Sequence, residues 1–253
     1  MITGPTGSWK TTTLYSILNT LNTGTNKIIT LEDPIEYEMA GILQSQIDYT
    51  KGYDYETGLK AILRHDPDII LVGETRSQET AEIAINAALT GHLVFTTLHT
   101  NSAIASVGRL VSMDVKPYLL APALQIIVWQ RLVRKVCPHC STTREASYAE
   151  EVEIQKTIES LENVGNIQIP EYTGETVKAN GCVLCNQTGY LGRFAILELL
   201  EVTEEIRKLI VDGGTDSEIY SKARMRGFTT MQEDGILKVL QWLTTIEEIN
   251  RVT

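Results

Sequence analysis

The sequence lacks an excess of positive charge and any long apolar segment. It carries 22 lysines and arginines against 32 aspartates and glutamates, which gives a net charge of −10. General nucleic-acid binders are usually basic, so this balance predicts no nucleic-acid partner. The longest uncharged apolar run, residues 117–130, is shorter than the about 20 residues that a membrane-spanning helix needs. Because Pro122 interrupts the run, we expect a buried helix here and no transmembrane segment.

A secretory signal sequence is also missing, since the chain opens almost directly into a glycine-rich loop. Only Met1, Ile2 and Thr3 precede Gly4, although such a loop normally follows a buried strand of about five residues. We therefore expect a truncated first strand and a chain that is the C-terminal part of a longer protein. Apolar residues make up 43% of the 253 residues, which allows a sizeable core in one large domain or two smaller ones.

The glycine-rich segment almost matches a phosphate-binding loop, Gly-x-x-x-x-Gly-Lys-Ser/Thr. Gly4, Lys10 and Thr11 fit the pattern, whereas Trp9 stands where the second glycine belongs. In such a loop, backbone N–H groups and the N-terminus of the next helix bind phosphate oxygens. Lys10 would reach the terminal phosphates, and the Thr11 hydroxyl would bind Mg²⁺. The residues predicted to bind the nucleotide are Gly4, Pro5, Thr6, Gly7, Ser8, Trp9, Lys10, Thr11 and Thr12.

Trp9 weakens the match to a phosphate-binding loop. A glycine just before the lysine lets the backbone approach the anion closely, and an indole adds bulk at that point. Taken alone, the segment fits a nucleotide site and a glycine-rich turn that opens an ordinary helix equally well.

Acidic residues follow a short apolar strand. The Ile-Ile-Thr-Leu segment 28–31 runs directly into Glu32, Asp33 and Glu36. In open α/β sheets, ligands bind at the carboxyl ends of the strands, so these carboxylates are candidates for a site. The alternative is a solvated acidic loop.

A second apolar strand ends in one acidic residue. The segment 69–72 contains four successive aliphatic residues, which indicates a strand buried on both faces, and Gly73-Glu74 follows it. Such a strand is common by itself, but its place downstream of Lys10 makes the signal specific. Glu74 would help to hold Mg²⁺ or polarise the attacking water.

A histidine stands at each end of the next apolar segment, His92 before it and His99 after it. A lone histidine is more often structural than catalytic, so both interpretations stay open. From the end of a strand, the His99 imidazole could contact a γ-phosphate. The alternation of strands and helices through about residue 130 predicts an α/β fold whose parallel sheet has helices on both faces.

The four cysteines form two Cys-x-x-Cys pairs, Cys137 with Cys140 and Cys182 with Cys185. Two such pairs predict a tetrahedral four-thiolate zinc site, because each tight turn presents two thiolates to one metal. Four cysteine ligands leave no open coordination position, so we expect the zinc to be structural. The alternative is four unrelated buried or redox-active cysteines.

Five blocks of the sequence together resemble the secretion ATPases that power type II secretion and type IV pilus assembly, the GspE/PilB class. The blocks are residues 4–15, 32–37, 63–74 and 90–101, and the paired cysteines followed by residues 189–193. The likeness covers nearly the whole chain. Pilus-retraction relatives lack the four-cysteine module, so its presence favours the assembly or secretion branch.

The resemblance implies an ATP-hydrolysing motor subunit of a homo-hexameric ring at the cytoplasmic face of the inner membrane. The ring would act on a platform protein in that membrane and would use ATP, Mg²⁺ and Zn²⁺. The implied architecture is a RecA-like P-loop core with a parallel-rich sheet over residues 1–130, a zinc module with an acidic insertion over residues 131–195, and a helical C-terminal subdomain over residues 196–253.

The resemblance also implies roles for individual residues. By position, Glu36 is similar to the catalytic glutamate that orients or deprotonates water, and Glu74 is similar to the acidic residue that acts on Mg²⁺. Glu32 and Asp33 would support the site, and His99 would contact the γ-phosphate region. Arg64 and Arg76 are weaker candidates for neutralising charge in the transition state.

The chain departs from the family at two positions. The family has glycine where this chain has Trp9, and it usually has aspartate where Ser77 stands. Because the other motif residues are intact, we expect the Trp9→Gly variant to be a working ATPase and the chain as written to be badly impaired. The alternatives are a nucleotide-binding-deficient structural subunit of the same ring and a DNA-transport or retraction motor on the same core.

Overall fold

The structure is a computed structural model that describes residues 1–162, 164–165 and 167–253. The chain divides into two compact units. The first unit contains Met1–Trp129 and Leu200–Ile219, and the second contains Gln130–Leu199 and Tyr220–Thr253. The division into three parts expected from the sequence stays a prediction.

Strands and helices alternate through the first half of the chain. The strands are β1 Ile2–Thr3, β2 Ile28–Glu32, β3 Leu43–Gln46, β4 Ile69–Val72, β5 Leu93–Leu98, β6 Ile126–Val136, β7 Ser141–Glu145, β8 Glu175–Ala179 and β9 Tyr190–Glu201. The helices are α1 Lys10–Leu21, α2 Tyr55–Ile62, α3 Gln78–Leu89, α4 Ala105–Ser112, α5 Pro117–Ala123, α6 Tyr148–Glu162, α7 Glu204–Asp212, α8 Asp216–Arg224, α9 Met231–Leu240 and α10 Ile246–Val252. Short 3₁₀ turns span Tyr49–Lys51, Leu63–His65 and Val183–Cys185.

One seven-stranded sheet has the order β3-β2-β4-β5-β1-β6-β9. β2 pairs in parallel with β3 and β4, β4 with β5, and β1 with β5 and β6. Because these strands run in the same direction, the residues that follow β1, β2, β4 and β5 meet at one edge of the sheet. The phosphate-type loop, Glu32, Glu74 and His99 are therefore brought together by the topology.

Both faces of the sheet are covered, as the aliphatic run of β4 predicts. Ile70 and Val72 pack in a core cluster with residues of α2 and α3, whereas Ile69 and Leu71 pack in another cluster with residues of α1. All four side chains are at most 3% exposed. Successive residues of a strand point to opposite faces, so one short strand contributes to both halves of the core.

The second unit is built around a smaller antiparallel pair. β7 pairs with β8 in the register Thr143↔Val177, and the long helix α6 lies between them in the sequence. Leu161 of α6 packs against Leu237 of α9. The helices α9 and α10 close this unit, in agreement with the helical character expected near the C-terminus.

The apolar run 117–130 is not one buried helix, which corrects the expectation from the sequence. Helix α5 ends at Ala123, and Leu124 already has extended backbone angles. Strand β6 then begins at Ile126 and pairs with β1, with Val128 opposite Ile2. The β-branched and aromatic residues at 126–129 favour a strand over a helix. No helix among residues 1–162, 164–165 and 167–253 is long and apolar enough to span a bilayer.

Candidate functional site

The loop between β1 and α1 surrounds the side-chain amine of Lys10. The Lys10 Nζ donates hydrogen bonds to the carbonyl oxygens of Gly4, at 2.9 Å, and Pro5, at 3.1 Å. Burial lowers the pKa of Lys10 below its usual range, and the Glu74 carboxylate counteracts part of this shift. The amine is therefore held over the loop, with the Glu74 carboxylate close enough to influence its charge.

Trp9 has a backbone conformation that favours glycine. It precedes α1 with φ 61° and ψ 33°, in the left-handed region. For a residue with a Cβ this conformation costs about 1–2 kcal/mol. The indole is 45% exposed and lines the cavity beside the loop. Glycine is therefore favoured at this position for two reasons, the left-handed backbone conformation and the bulk of the indole.

A cavity of about 610 Å³ opens at the carboxyl edge of the sheet. Most residues predicted to bind the nucleotide or act in catalysis line it. They are Thr6, Gly7, Ser8, Trp9, Lys10, Thr11, Thr12, Glu32, Asp33, Glu36, Glu74, Arg76 and His99. Gly4 and Pro5 contribute through the carbonyls that bind Lys10. Arg64 lies exposed on the turn Leu63–His65 and is absent from the described lining of this cavity.

Glu32 is buried and has hydrogen-bonding partners on both carboxylate oxygens. Glu32 is the last residue of β2 and is only 3% exposed. Tyr15 donates to Oε2, while Thr30, at 2.5 Å, and Gln44, at 3.1 Å, donate to Oε1. Burial and the hydrogen bond to Glu32 raise the pKa of Tyr15 well above its usual range. This network fixes Glu32, which suits a supporting role.

Glu74 lies between two groups that can carry positive charge. One oxygen is 3.3 Å from His99 Nε2, and the other is 2.6 Å from an Arg76 nitrogen. The preceding Gly73 is closely surrounded, since a Cβ there would lie 2.9 Å from the Tyr55 hydroxyl and 3.0 Å from the Leu31 carbonyl oxygen, and a side chain would require these atoms to shift. Glu74 follows this glycine and lines the cavity.

The four cysteines form one cluster in the second unit. Their sulfur atoms all lie within 4.8 Å of one another, and the closest pairs are 3.7–3.9 Å apart. Four sulfurs at the Zn–S distance of about 2.3 Å in a tetrahedron are about 3.8 Å apart, so the cluster has the size of a zinc site. The thiols are free of disulfide bonds. This arrangement excludes four unrelated cysteines, and the donor set fits Zn²⁺.

Backbone N–H groups surround the cysteine sulfurs. Cys185 Sγ accepts from the N–H groups of Cys182, at 3.1 Å, and Gly189, at 3.2 Å. Burial opposes ionisation of Cys185, but these donors outweigh it and lower the pKa of the thiol to about 6. Gly189 has φ 78°, and a Cβ on it would lie 2.8 Å from the Ala179 backbone. These bonds favour the thiolate of Cys185, the form that binds metal, whereas burial raises the pKa of Cys140.

A family model named type II/IV secretion system protein matches residues 1–251. The chain belongs to this family. The match confirms the resemblance drawn from the five sequence blocks, because it covers both the nucleotide-type cavity and the cysteine cluster.

Curated members of the family are similar along the whole chain. The type IV pilus assembly ATPase PilB of Thermus thermophilus is 46% identical over 249 residues, which cover 98% of this chain and 27% of that protein. The type II secretion system protein E of Pseudomonas aeruginosa is 46% identical over 253 residues, which cover 100% of this chain and 48% of that protein. The chain thus spans half the length of these relatives or less.

Solved structures confirm the predicted fold class. The pilus retraction motor PilT with bound ADP superposes with a TM-score of 0.69 at 31% identity, over 100% of this chain and 60% of that one. The Legionella pneumophila ATPase DotB gives a TM-score of 0.67 at 25% identity, over 99% of this chain and 58% of that one. The family fold is therefore the RecA-like α/β core with a parallel-rich sheet.

Three polar residues of the site were not anticipated from the sequence. Tyr15 and Gln44 bind Glu32, and the Tyr55 hydroxyl lies beside Gly73. Tyr15 falls within the first sequence block of the family, which is the one signal that could have pointed to it. The other two lie on β3 and α2, outside all five blocks.

Proposed function

We propose that this chain is the ATP-hydrolysing part of a motor subunit whose hexameric ring powers type IV pilus assembly or type II protein secretion. The observation that carries the proposal is the single cavity lined by Lys10, Thr11, Glu36 and Glu74. The relatives named as a pilus assembly ATPase and as a secretion protein, each 46% identical, support the choice of process.

The residues of the cavity fit Mg-ATP. The Thr11 hydroxyl and the Glu74 carboxylate would supply oxygen donors of the kind that Mg²⁺ prefers. Mg²⁺ bound there would neutralise charge on the phosphates. Lys10 would bind the terminal phosphates, and the loop N–H groups would hold the phosphate oxygens. Lys10, the loop N–H groups and Mg²⁺ would together stabilise the negative charge that develops on the phosphate during phosphoryl transfer.

Glu36 is our proposed catalytic glutamate, which orients water or takes up its proton. It is exposed on the loop after β2 and faces the cavity. Glu32 and Asp33 support the site, and His99, in contact with Glu74, would touch the γ-phosphate region. Arg76 lines the same cavity and would stabilise negative charge in the transition state. Arg64 is the other candidate for this role, although it is not among the described residues that line the cavity of its own chain.

The cysteine cluster would hold a structural zinc ion. Cys137, Cys140, Cys182 and Cys185 occupy all four positions of a tetrahedral ion, so no position remains for a substrate. The ion would link two turns that are more than forty residues apart in the chain and would stabilise the segment between them. We place the whole protein in the cytoplasm, peripheral at the inner membrane, with a membrane platform protein as its partner and without nucleic acid.

A structural subunit that binds no nucleotide is the second candidate. Trp9 favours it, because the indole lines the cavity and its backbone is in the left-handed region. Such a subunit would still assemble into the ring. The intact Lys10, Glu74 and His99 favour the motor instead, since a subunit without catalysis has no use for them.

The deciding experiment is Mg-dependent ATP hydrolysis by the full-length protein, as written and with Trp9→Gly. We expect turnover in the Trp9→Gly protein and little in the chain as written. Lys10→Ala in the Trp9→Gly background is the control and should abolish turnover. Turnover by both proteins would refute the backbone argument about Trp9. Turnover by neither, with an intact hexamer of the Trp9→Gly protein, would favour the structural subunit.

A further inference from the structure

Two glutamines of β3 bind the loop that carries Glu36. The Oε1 atom of Gln44 accepts a hydrogen bond from the backbone N–H of Met39 at 2.7 Å, and the Oε1 atom of Gln46 accepts from the N–H of Ile35 at 3.3 Å. Residues two apart in a strand point to the same face, so both side chains reach the same loop. We call Gln44 and Gln46 the glutamine clamp. Its two bonds flank Glu36 in the chain.

The amide nitrogen of Gln44 joins this loop to the buried Glu32. Gln44 Nε2 donates to the Tyr37 carbonyl oxygen at 3.1 Å and to Glu32 Oε1 at 3.1 Å. A side-chain amide offers two N–H donors and one carbonyl acceptor, and Gln44 uses both kinds, with the Tyr15 hydroxyl as a further, longer partner of its nitrogen at 3.4 Å. If the Gln44 amide were flipped, its oxygen would face the Tyr37 carbonyl oxygen and the Glu32 carboxylate, which are both acceptors. The chemistry of Tyr37 and Glu32 therefore fixes the orientation of Gln44.

The carboxylate of Glu36 has no such support of its own. In the described part of the chain, no hydrogen bond or ion pair is found for its side chain, and the residue is exposed at the cavity. The backbone therefore sets where the carboxylate can reach. That backbone is held by the bonds of the glutamine clamp to Ile35, Tyr37 and Met39, and the Glu36 backbone N–H also bonds to the Tyr15 hydroxyl.

We propose that Gln44, assisted by Gln46, is a positioning residue that holds Glu36 at the reacting phosphate. The inference rests on the proposed function, because it assigns Glu36 to the chemical step. Neither glutamine is among the described residues that line the cavity. Loss of the clamp should therefore slow the chemical step and leave the affinity for Mg-ATP unchanged.

The first test uses the full-length Trp9→Gly protein as the parent. Gln44→Met keeps the length of the side chain but removes all its hydrogen bonds. We expect kcat to fall about 10- to 100-fold, because small misplacements of a catalytic group have effects of this size. The Kd for Mg-ATP should stay at the parent value. Ser45→Ala is the matched control, since Ser45 bonds to the Tyr53 hydroxyl at 2.7 Å from the opposite face of β3.

A double-mutant cycle separates positioning from a general structural role. If Gln44 acts through Glu36, then Gln44→Met should cause no further loss in a Glu36→Gln background. If Gln44 instead acts through its bond to Glu32, or only stabilises the fold, the two losses should multiply. Multiplying losses, an unchanged kcat in Gln44→Met, a Kd weakened in step with kcat, or an equal loss in Ser45→Ala would each overturn the inference.

Amide hydrogen exchange tests the clamp without catalysis. The Met39 N–H should be protected in the parent and in Ser45→Ala, and it should exchange faster in Gln44→Met. If the parent hydrolyses no ATP, the proposed function fails, but hydrogen exchange still tests whether the glutamine clamp holds the loop. Unchanged protection of the Met39 N–H in Gln44→Met would overturn the clamp, and lost protection would support it.

Discussion

The indole of Trp9 and the backbone beneath it are separate obstacles to phosphate binding. The left-handed backbone costs about 1–2 kcal/mol for any residue with a Cβ, whether its side chain is large or small. The indole adds bulk at the cavity, where it is 45% exposed. Two substitutions can therefore separate the two effects.

At this position we predict an order of Mg-ATP affinities. Trp9→Gly should bind most tightly, Trp9→Ala should follow at about tenfold weaker affinity, and the chain as written should bind most weakly. Alanine removes the indole but keeps the backbone cost, and about 1.4 kcal/mol corresponds to a factor of ten. Isothermal titration of the full-length proteins measures the order. If Trp9→Gly and Trp9→Ala bind Mg-ATP with equal affinity, the loss of affinity in the chain as written comes from the bulk of the indole alone.

At the scale of elements, α10 is tied to β6 by one buried carboxylate. Glu248 is 1% exposed, and Arg134 of β6 and Arg251 bind it at 2.7 Å and 2.6 Å. The Arg134 backbone N–H donates to the same carboxylate at 2.9 Å. Burial opposes the charge, but the hydrogen bonds from Arg251 and Arg134 hold the pKa of Glu248 at about 2.

We predict that Glu248→Gln lowers the free energy of unfolding of the second unit by about 2 kcal/mol at pH 7, because the charged hydrogen bonds to two half-exposed arginines are lost. The pKa of Glu248 is depressed in the folded state from 4.5 to about 2. The contribution is therefore fully present above about pH 4.5 and is lost as the pH falls towards 2. Urea unfolding at pH 7 and pH 3 should show the difference between the two proteins shrinking in acid. A constant difference would contradict the assignment.

The two cysteine turns give a second prediction at this scale. Each chain should contain one zinc ion, and Cys182→Ser should lose it together with several degrees of melting temperature. Val183→Ser is the matched control, because Val183 lies on the same turn and is 82% exposed. Metal analysis and thermal unfolding of the purified full-length protein test this. Retention of full zinc by Cys182→Ser would refute a four-thiolate site.

Several elements could be predicted because their cause is local. The aliphatic run at residues 69–72 predicted strand β4 with its observed bounds. β6 was missed, because its apolar residues continue those of α5 and only pairing with β1 decides between helix and strand. Gln44 was missed for a similar reason, since its partners Glu32, Tyr37 and Met39 meet only after β2 and β3 pair.

At the scale of the whole molecule, Arg64 suggests a site shared between subunits. Arg64 is exposed and absent from the described lining of its own chain's cavity. If it neutralises transition-state charge in the proposed ring, it would do so in a neighbouring subunit. The proposed residues of the core cavity, such as Lys10, would act within one chain.

This division of labour predicts complementation. In the full-length Trp9→Gly protein, Arg64→Ala and Lys10→Ala should each reduce ATP hydrolysis at least tenfold. A mixed ring should recover part of the activity, because a subunit with Lys10 can sit beside one with Arg64. Mixing at a series of ratios should give a maximum near equal amounts. If ATPase activity instead changes linearly with the mixing ratio, without a maximum, Arg64 takes no part in the reaction.

Trp9 also gives the protein an optical reporter in its own loop. Of the three tryptophans, Trp9 is the one found among the described lining residues of the cavity. Water reaches its half-exposed ring, so any molecule that fills the cavity changes the polarity around the indole and with it the emission wavelength. Occupancy can therefore be followed in unlabelled protein, and the Trp9→Gly variant supplies the blank, with Trp129 and Trp242 as its constant background.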